Sequence, residues 1–176
     1  MTVEKVISPE IENIVDVIGD IVSEVQAEYD TENSEKPYYL HGHPQEIINT
    51  IIERNAVEDL KFKKYPCIVL FEDFISGSQQ GIFKSTAKLN IVIMTDSSKD
   101  YKAEQRYDNS FDVILTPIYD LFIKQIARCR RIHKRAGRVD HQKINHLYWG
   151  KKDLGNFGVD FIDAIEIKDL DIKVYR

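Results

Sequence analysis

Ile11, Ile14, Val15, Ile18, Ile21, Val22 and Val25 recur every three or four residues, a spacing that lays them along one stripe of an α-helix. Ser8-Pro9-Glu10 offers a hydroxyl cap, a proline for the first helical position and an early carboxylate. The pattern therefore predicts an N-terminal helix from Pro9 to Glu28. Tyr29–Lys36 has almost no apolar content and reads as a flexible loop. Pro37–His43 looks extended. Pro44 then opens a second helix, with Ile47, Ile48, Ile51 and Ile52 as its buried stripe and an end by Asn55.

A basic lead-in, Lys61–Lys64, precedes the apolar run Tyr65–Phe71, which suits a strand buried on both faces. Gly77–Gly81 has the composition of a turn, and Phe83–Thr95 reads as a longer strand. One face of that strand carries Ala87, Leu89, Ile91 and Ile93. The other starts polar at Lys88 and Asn90 and becomes apolar at Val92 and Met94, so one end of the strand is expected to be covered on both sides. Asp96–Asp100 caps a long helix over Ala103–Arg131, and Pro117 inside it should kink or break it for lack of an amide donor. Its core face is Phe111, Ile114, Leu115, Ile118, Leu121, Phe122 and Ile126.

Lys143–Gly150 reads as a further strand and Phe161–Tyr175 as the last one. In the last strand the apolar phase changes, from odd positions (Ile165, Ile167) to even ones (Leu170, Ile172, Val174). A bulge near Lys168-Asp169 would keep both sets on one side. The sum is an α+β fold: a mostly antiparallel sheet of about four to five strands, with the N-terminal helix and the long Pro-kinked helix packed on it. Ile68, Leu70, Leu89, Ile91, Ile114 and Leu121 are its expected core residues.

At 176 residues the chain fits one domain, residues 1–176, with a sizeable core. Lys and Arg number 24 against 29 Asp and Glu, and the net charge of −5 excludes a generally basic nucleic-acid binder while permitting a local basic patch. The apolar runs are too short to span a bilayer. Met1–Glu12 lacks the apolar stretch of a signal peptide. Cys67 and Cys129, two cysteines in a domain of this size, are expected to be reduced, which makes the cytoplasm the default compartment.

Candidate chemistry is sparse. His41-Gly42-His43 offers two imidazoles, but no Cys or carboxylate cluster adjoins them and a structural zinc wants four ligands; a turn leading into the Pro44 helix fits better. Glu72 and Asp73 follow a buried strand, and acid–base chemistry there would need a partner such as Asp96 close in space. Neither cysteine has a catalytic motif. Gly77-Ser78-Gln79-Gln80-Gly81 lacks the Lys of a nucleotide cradle. The clearest polar anomaly is Arg128, Arg130, Arg131, Lys134, Arg135, Arg138 and Lys143, with Asp140 alone opposing them. It suits phosphate backbones or an acidic partner face, or else it is a solvated helix end.

The order of segments carries a resemblance. Tyr39-Leu40-His41-Gly42-His43-Pro44-Gln45-Glu46-Ile47-Ile48-Asn49 follows the leading helix. Then come Lys64–Asp73, the strand Leu89–Thr95, Glu104-Gln105-Arg106-Tyr107, Phe111–Tyr119 with its Pro117, and Asp163-Ala164-Ile165-Glu166-Ile167. From about Pro37 onward this resembles the small neck and tail-completion (tail-terminator) proteins of tailed bacteriophages and prophages. The resemblance implies an α+β virion subunit that forms a homo-oligomeric ring, typically a hexamer, where tail tube meets head connector. It further implies no catalysis, cofactor, metal or membrane. Its site would be the host cytoplasm during assembly and the virion neck afterwards, with DNA passing through the channel and the basic stretch on the channel wall or against an adjacent ring. Two other classes compete: a small metal-assisted hydrolase or nuclease using Asp73 or Glu72 with Asp96, and a monomeric nucleic-acid-binding module built on Arg128–Lys143.

Overall fold

A computed structural model describes residues 13–29, 36–57, 65–74, 83–134, 137–149 and 160–175. The N-terminal helix, α1, runs over Ile14–Glu28. Asn13 is extended, and its side chain accepts from the Val15 amide, so this helix has its own cap and does not run unbroken from Pro9. The Ser8-Pro9 start and Ile11 lie outside the described residues, as do the expected turn at 77–81, the lead-in at 61–64 and most of the expected loop at 29–36. The buried stripe of α1 is the expected one, with Val17 added.

Strand β1, Tyr38–Gly42, and helix α2, Pro44–Ala56, meet at a joint dictated by two residues. Gly42 has φ +140°, where a Cβ would be strained and would also approach the Glu46 carboxylate at 3.1 Å. The ring Nδ1 of His43 accepts from the Gln45 amide (3.2 Å), and Glu46 reaches back to the His43 amide (3.2 Å), a reciprocal cap. Strand β2, Cys67–Phe71, follows beside β1 and parallel to it.

Strands β3, Phe83–Asp96, and β5, Ile162–Tyr175, form the long centre of a five-stranded sheet ordered β1-β2-β3-β5-β4, with β4 at Gln142–His146. Every pairing but β1–β2 is antiparallel. The expected bulge is present. Leu89 pairs with Leu170 and Ile91 with Ile167, so two steps on β3 oppose three on β5. Asp169 takes up the extra residue at φ 55°, and its amide donates to the Asn90 side chain (3.2 Å). Ile165, Ile167, Leu170, Ile172 and Val174 consequently all enter the same core.

The long helix is made of three stretches: α3 (Ala103–Arg106), a π-helical segment (Tyr107–Leu115) and α4 (Thr116–Arg128). Pro117 sits in the first turn of α4, where a missing amide costs least. The disruption expected at the proline is displaced ahead of it: the Thr116 amide donates to the Phe111 carbonyl five residues back, not four. The wider π turn selects Phe111, Leu115, Ile118, Phe122 and Ile126 for burial. Ile114 and Leu121, expected in the core, are half-buried at its flank because the widened turn rotates them off the centre of the stripe.

Two apolar layers result. α1, the π segment and α4 cover one sheet face over Ile68, Leu70, Leu89, Ile91 and Ile93. On the other face, Ile47 and Ile51 of α2 cover Cys67, Val69, Val92 and Met94. α2 does not reach Lys88, which is exposed, so β3 is covered on both sides at one end only, as its sequence predicts.

Candidate functional site

The carboxylates that a hydrolase would need are not brought together. Phe71, immediately before Glu72 and Asp73, pairs with Asn90, whereas Asp96 lies at the opposite end of β3, beyond the Met94–Cys67 pair. Six residues of strand at about 3.3 Å each separate the two ends by roughly 20 Å. Glu72 instead meets His41 Nδ1 at 2.5 Å, both half-exposed. His43 is occupied in capping α2, so the two imidazoles of His41-Gly42-His43 do different jobs. Among the described residues no group of three or more His, Cys, Asp or Glu is placed to hold a metal. The Cys67 thiol is buried in β2, and burial pushes its pKa up to about 12.

The most enclosed polar centre was not visible as such in the sequence. Arg106, 3% exposed, and Asp163, fully buried, pair at 2.9 Å where the start of the long helix passes the first residues of β5. The guanidinium also donates to Ser97 Oγ (2.8 Å) and to the carbonyls of Ser98 (2.7 Å) and Tyr101 (3.2 Å). Ser97 Oγ and the Tyr148 amide donate to the Asp163 carboxylate (2.6 and 2.9 Å), and Arg106 stacks at 4.6 Å on the Tyr148 ring. With both partners saturated, the cluster joins the ends of β3, β4 and β5 to the helix. Its chemistry is positional.

The basic stretch does not form one continuous patch. Arg128 donates to Glu28 (3.1 Å) and Arg131 to Asp20 (2.8 Å), both carboxylates on α1. Lys134 folds back onto the Cys129 carbonyl (2.5 Å), and Lys143 lies over the Tyr119 ring at 4.1 Å. Arg135 lies outside the described residues. Arg130 and Arg138 are exposed and have no ion pair among the described residues. The opposing charge comes from a row missed at the sequence level: Asp16, Asp20, Glu24 and Glu28 recur every four residues along α1. Its spacing is legible, but its partner, α4, lies a hundred residues away.

Between the middle of α1 and the end of α4 lies a cleft of about 480 Å³, lined by Ile21 and Cys129, by the carboxylates Asp20 and Glu24, and by Arg128, Arg130 and Arg131. At its edge Lys124 and Gln125 both hydrogen-bond Glu28. The hydrogen bond from Lys124, joined by the charges of Lys124 and Arg128, holds the Glu28 carboxyl below the ordinary 4.5.

The fold and these centres define an α+β protein with one mixed sheet. No protein-family model matches the chain, and no curated protein matches it. Among the described residues no helix is long and apolar enough to cross a membrane.

Proposed function

We propose that the chain is a ring-forming structural subunit of a tailed phage or prophage, a tail-terminator or neck protein that joins tail tube to head connector through protein–protein interfaces and performs no catalysis. Its partners are copies of itself and the tube and connector proteins, with DNA passing through the ring. It assembles in the host cytoplasm and resides in the virion neck.

One observation carries the reading beyond the order of segments. Among the described residues five large apolar side chains are left exposed; Tyr148 lies against Arg106, and the other four divide between the two helical layers. Ile52 (42% exposed) and Val57 (46%) lie on and just after α2, on one side of the sheet. Tyr107 (39%) and Val113 (56%) lie on the π segment, on the other side. A subunit that repeats head-to-tail, or contacts lateral and axial neighbours at once, needs two unlike sticky faces; a self-complementary dimer needs one. Single exposed apolar residues are ordinary, and it is their pairing on opposed faces that supports assembly.

Substituting Ile52→Asp and Val113→Asp tests this. Neither side chain is in the core, so stability should stay within about 0.5 kcal/mol of the parent. Each variant should lose assembled mass in light scattering. Unchanged assembly in both variants would contradict the reading.

A further inference from the structure

A separate pocket, of about 230 Å³, lies between the last turns of α4 and the segment Gly137–His141. Ile123, Ile126 and Ala127 line it from the helix, and Gly137, Val139 and His141 from the facing segment. His141 is tied down on both sides. Its Nδ1–H donates to the Val139 carbonyl (3.0 Å) and its Nε2 accepts from the Tyr119 hydroxyl of α4 (2.9 Å), so neither nitrogen is left for a ligand. The same two bonds hold the segment against the helix and form the pocket in advance. Gly137, at φ 78°, makes the turn that delivers Arg138 to it.

Arg138 is the one acidic or basic side chain besides His141 in the lining, and its charge is unanswered. It is exposed and has no ion pair among the described residues. Two carboxylates share a neighbouring polar notch with it. Asp171 is paired with Lys173 (3.2 Å), and Asp140 lines the notch and not the pocket. An apolar cavity with a single free guanidinium is therefore what a ligand would meet.

We infer that this pocket binds a small monocarboxylate, whose phenyl or short alkyl body fills it while the carboxylate pairs with Arg138. The inference goes beyond the ring reading and needs neither assembly nor DNA. Volume sets the body: an apolar cavity of roughly 150 Å³ already holds a benzene ring, so this one has room for a ring and a short linker. Charge sets the head. No carboxylate lines the pocket to meet a cation, a neutral ligand leaves the guanidinium unused, and a planar carboxylate matches its fork. The end of α4 sets the direction, because its last carbonyls repel an anion. The carboxylate therefore lies at Arg138 and the apolar body against Ile126 and Ala127. So small a ligand should bind with a Kd of the order of 0.1–1 mM.

Hydrocinnamate, a phenyl ring joined to a carboxylate by two carbons, is the probe, followed by backbone-amide NMR of the full-length chain. Signals of residues 123–127 and 137–141 should shift and saturate. Hydrocinnamamide has the same shape without the charge and should bind about tenfold more weakly, the loss expected for one charge-assisted hydrogen bond. Arg138→Gln should bind acid and amide alike, and Ala127→Leu, which fills the pocket, should bind neither. Both substituted side chains are exposed, so circular dichroism and melting temperature should stay close to the parent's. No saturable shift at these residues would overturn the proposal. So would equal binding of acid and amide by the parent, a preference for the acid that survives Arg138→Gln, or unchanged binding in Ala127→Leu. None of these outcomes depends on whether the chain forms a ring.

Discussion

Arg106 and Asp163 show how much of this fold depends on single residues. A buried charge without its partner is costly, so Asp163→Ala should lower stability by about 3–5 kcal/mol in urea unfolding, well beyond a typical surface substitution. Arg106→Lys should also destabilise, because an ammonium cannot reach Ser97, Ser98, Tyr101 and Asp163 together. A loss under 1 kcal/mol in both would mean the cluster is not the joint described here. The sequence shows both residues, but the pairing spans 57 positions and no local pattern announces it. Glu28 makes a gentler prediction. Its folded pKa lies below its unfolded value, so its contact with Lys124 contributes above the ordinary carboxylate range and is lost as pH falls through the folded value. An NMR titration should place the Glu28 midpoint below 4.5, and Lys124→Ala should raise it. A midpoint unmoved by that substitution would show that the contact does not form in solution.

At the scale of elements, legibility followed periodicity. The bulge in β5 could be read because the apolar phase changes once, between Ile167 and Leu170, and only an extra residue reconciles the two halves. Deleting Asp169 tests it. The deletion should turn Leu170, Ile172 and Val174 toward the polar face and forfeit about 1.5–3 kcal/mol for each. That sum is comparable with the whole stability of an ordinary domain, so the deletion should yield insoluble or unfolded protein by circular dichroism. Normal folding would mean that the register shift is not required. The π segment was not legible. Its apolar residues satisfy α spacing well enough to predict a single helix, and Pro117 marks the region of disruption without saying that the wide turn precedes it. The N-terminal helix was legible in its stripe, Ile14 to Val25. Ser8-Pro9 is a plausible cap by composition and lies outside the described residues; Asn13 is the cap of α1. The parallel pairing of β1 was hidden too, because five residues, Tyr38–Gly42, carry too little pattern to choose a direction.

For the whole molecule, the lesson lies in charge. Seven cations between Arg128 and Lys143 stand out in a chain of net charge −5, and the sequence suggests a single positive patch. Folding divides the six that are described, all but Arg135: two are answered by α1, two fold onto the protein's own carbonyl and ring, and Arg130 and Arg138 face solvent. The cationic surface left unpaired among the described residues is narrower than the linear reading, Arg130 and Arg138. Light scattering on the purified chain from micromolar to near-millimolar concentration, with and without a tail-tube protein, measures the central claim most directly. The account predicts a mass that climbs to a fixed multiple of 20.5 kDa and class averages with closed rotational symmetry. A mass of 20.5 kDa under every condition would contradict it.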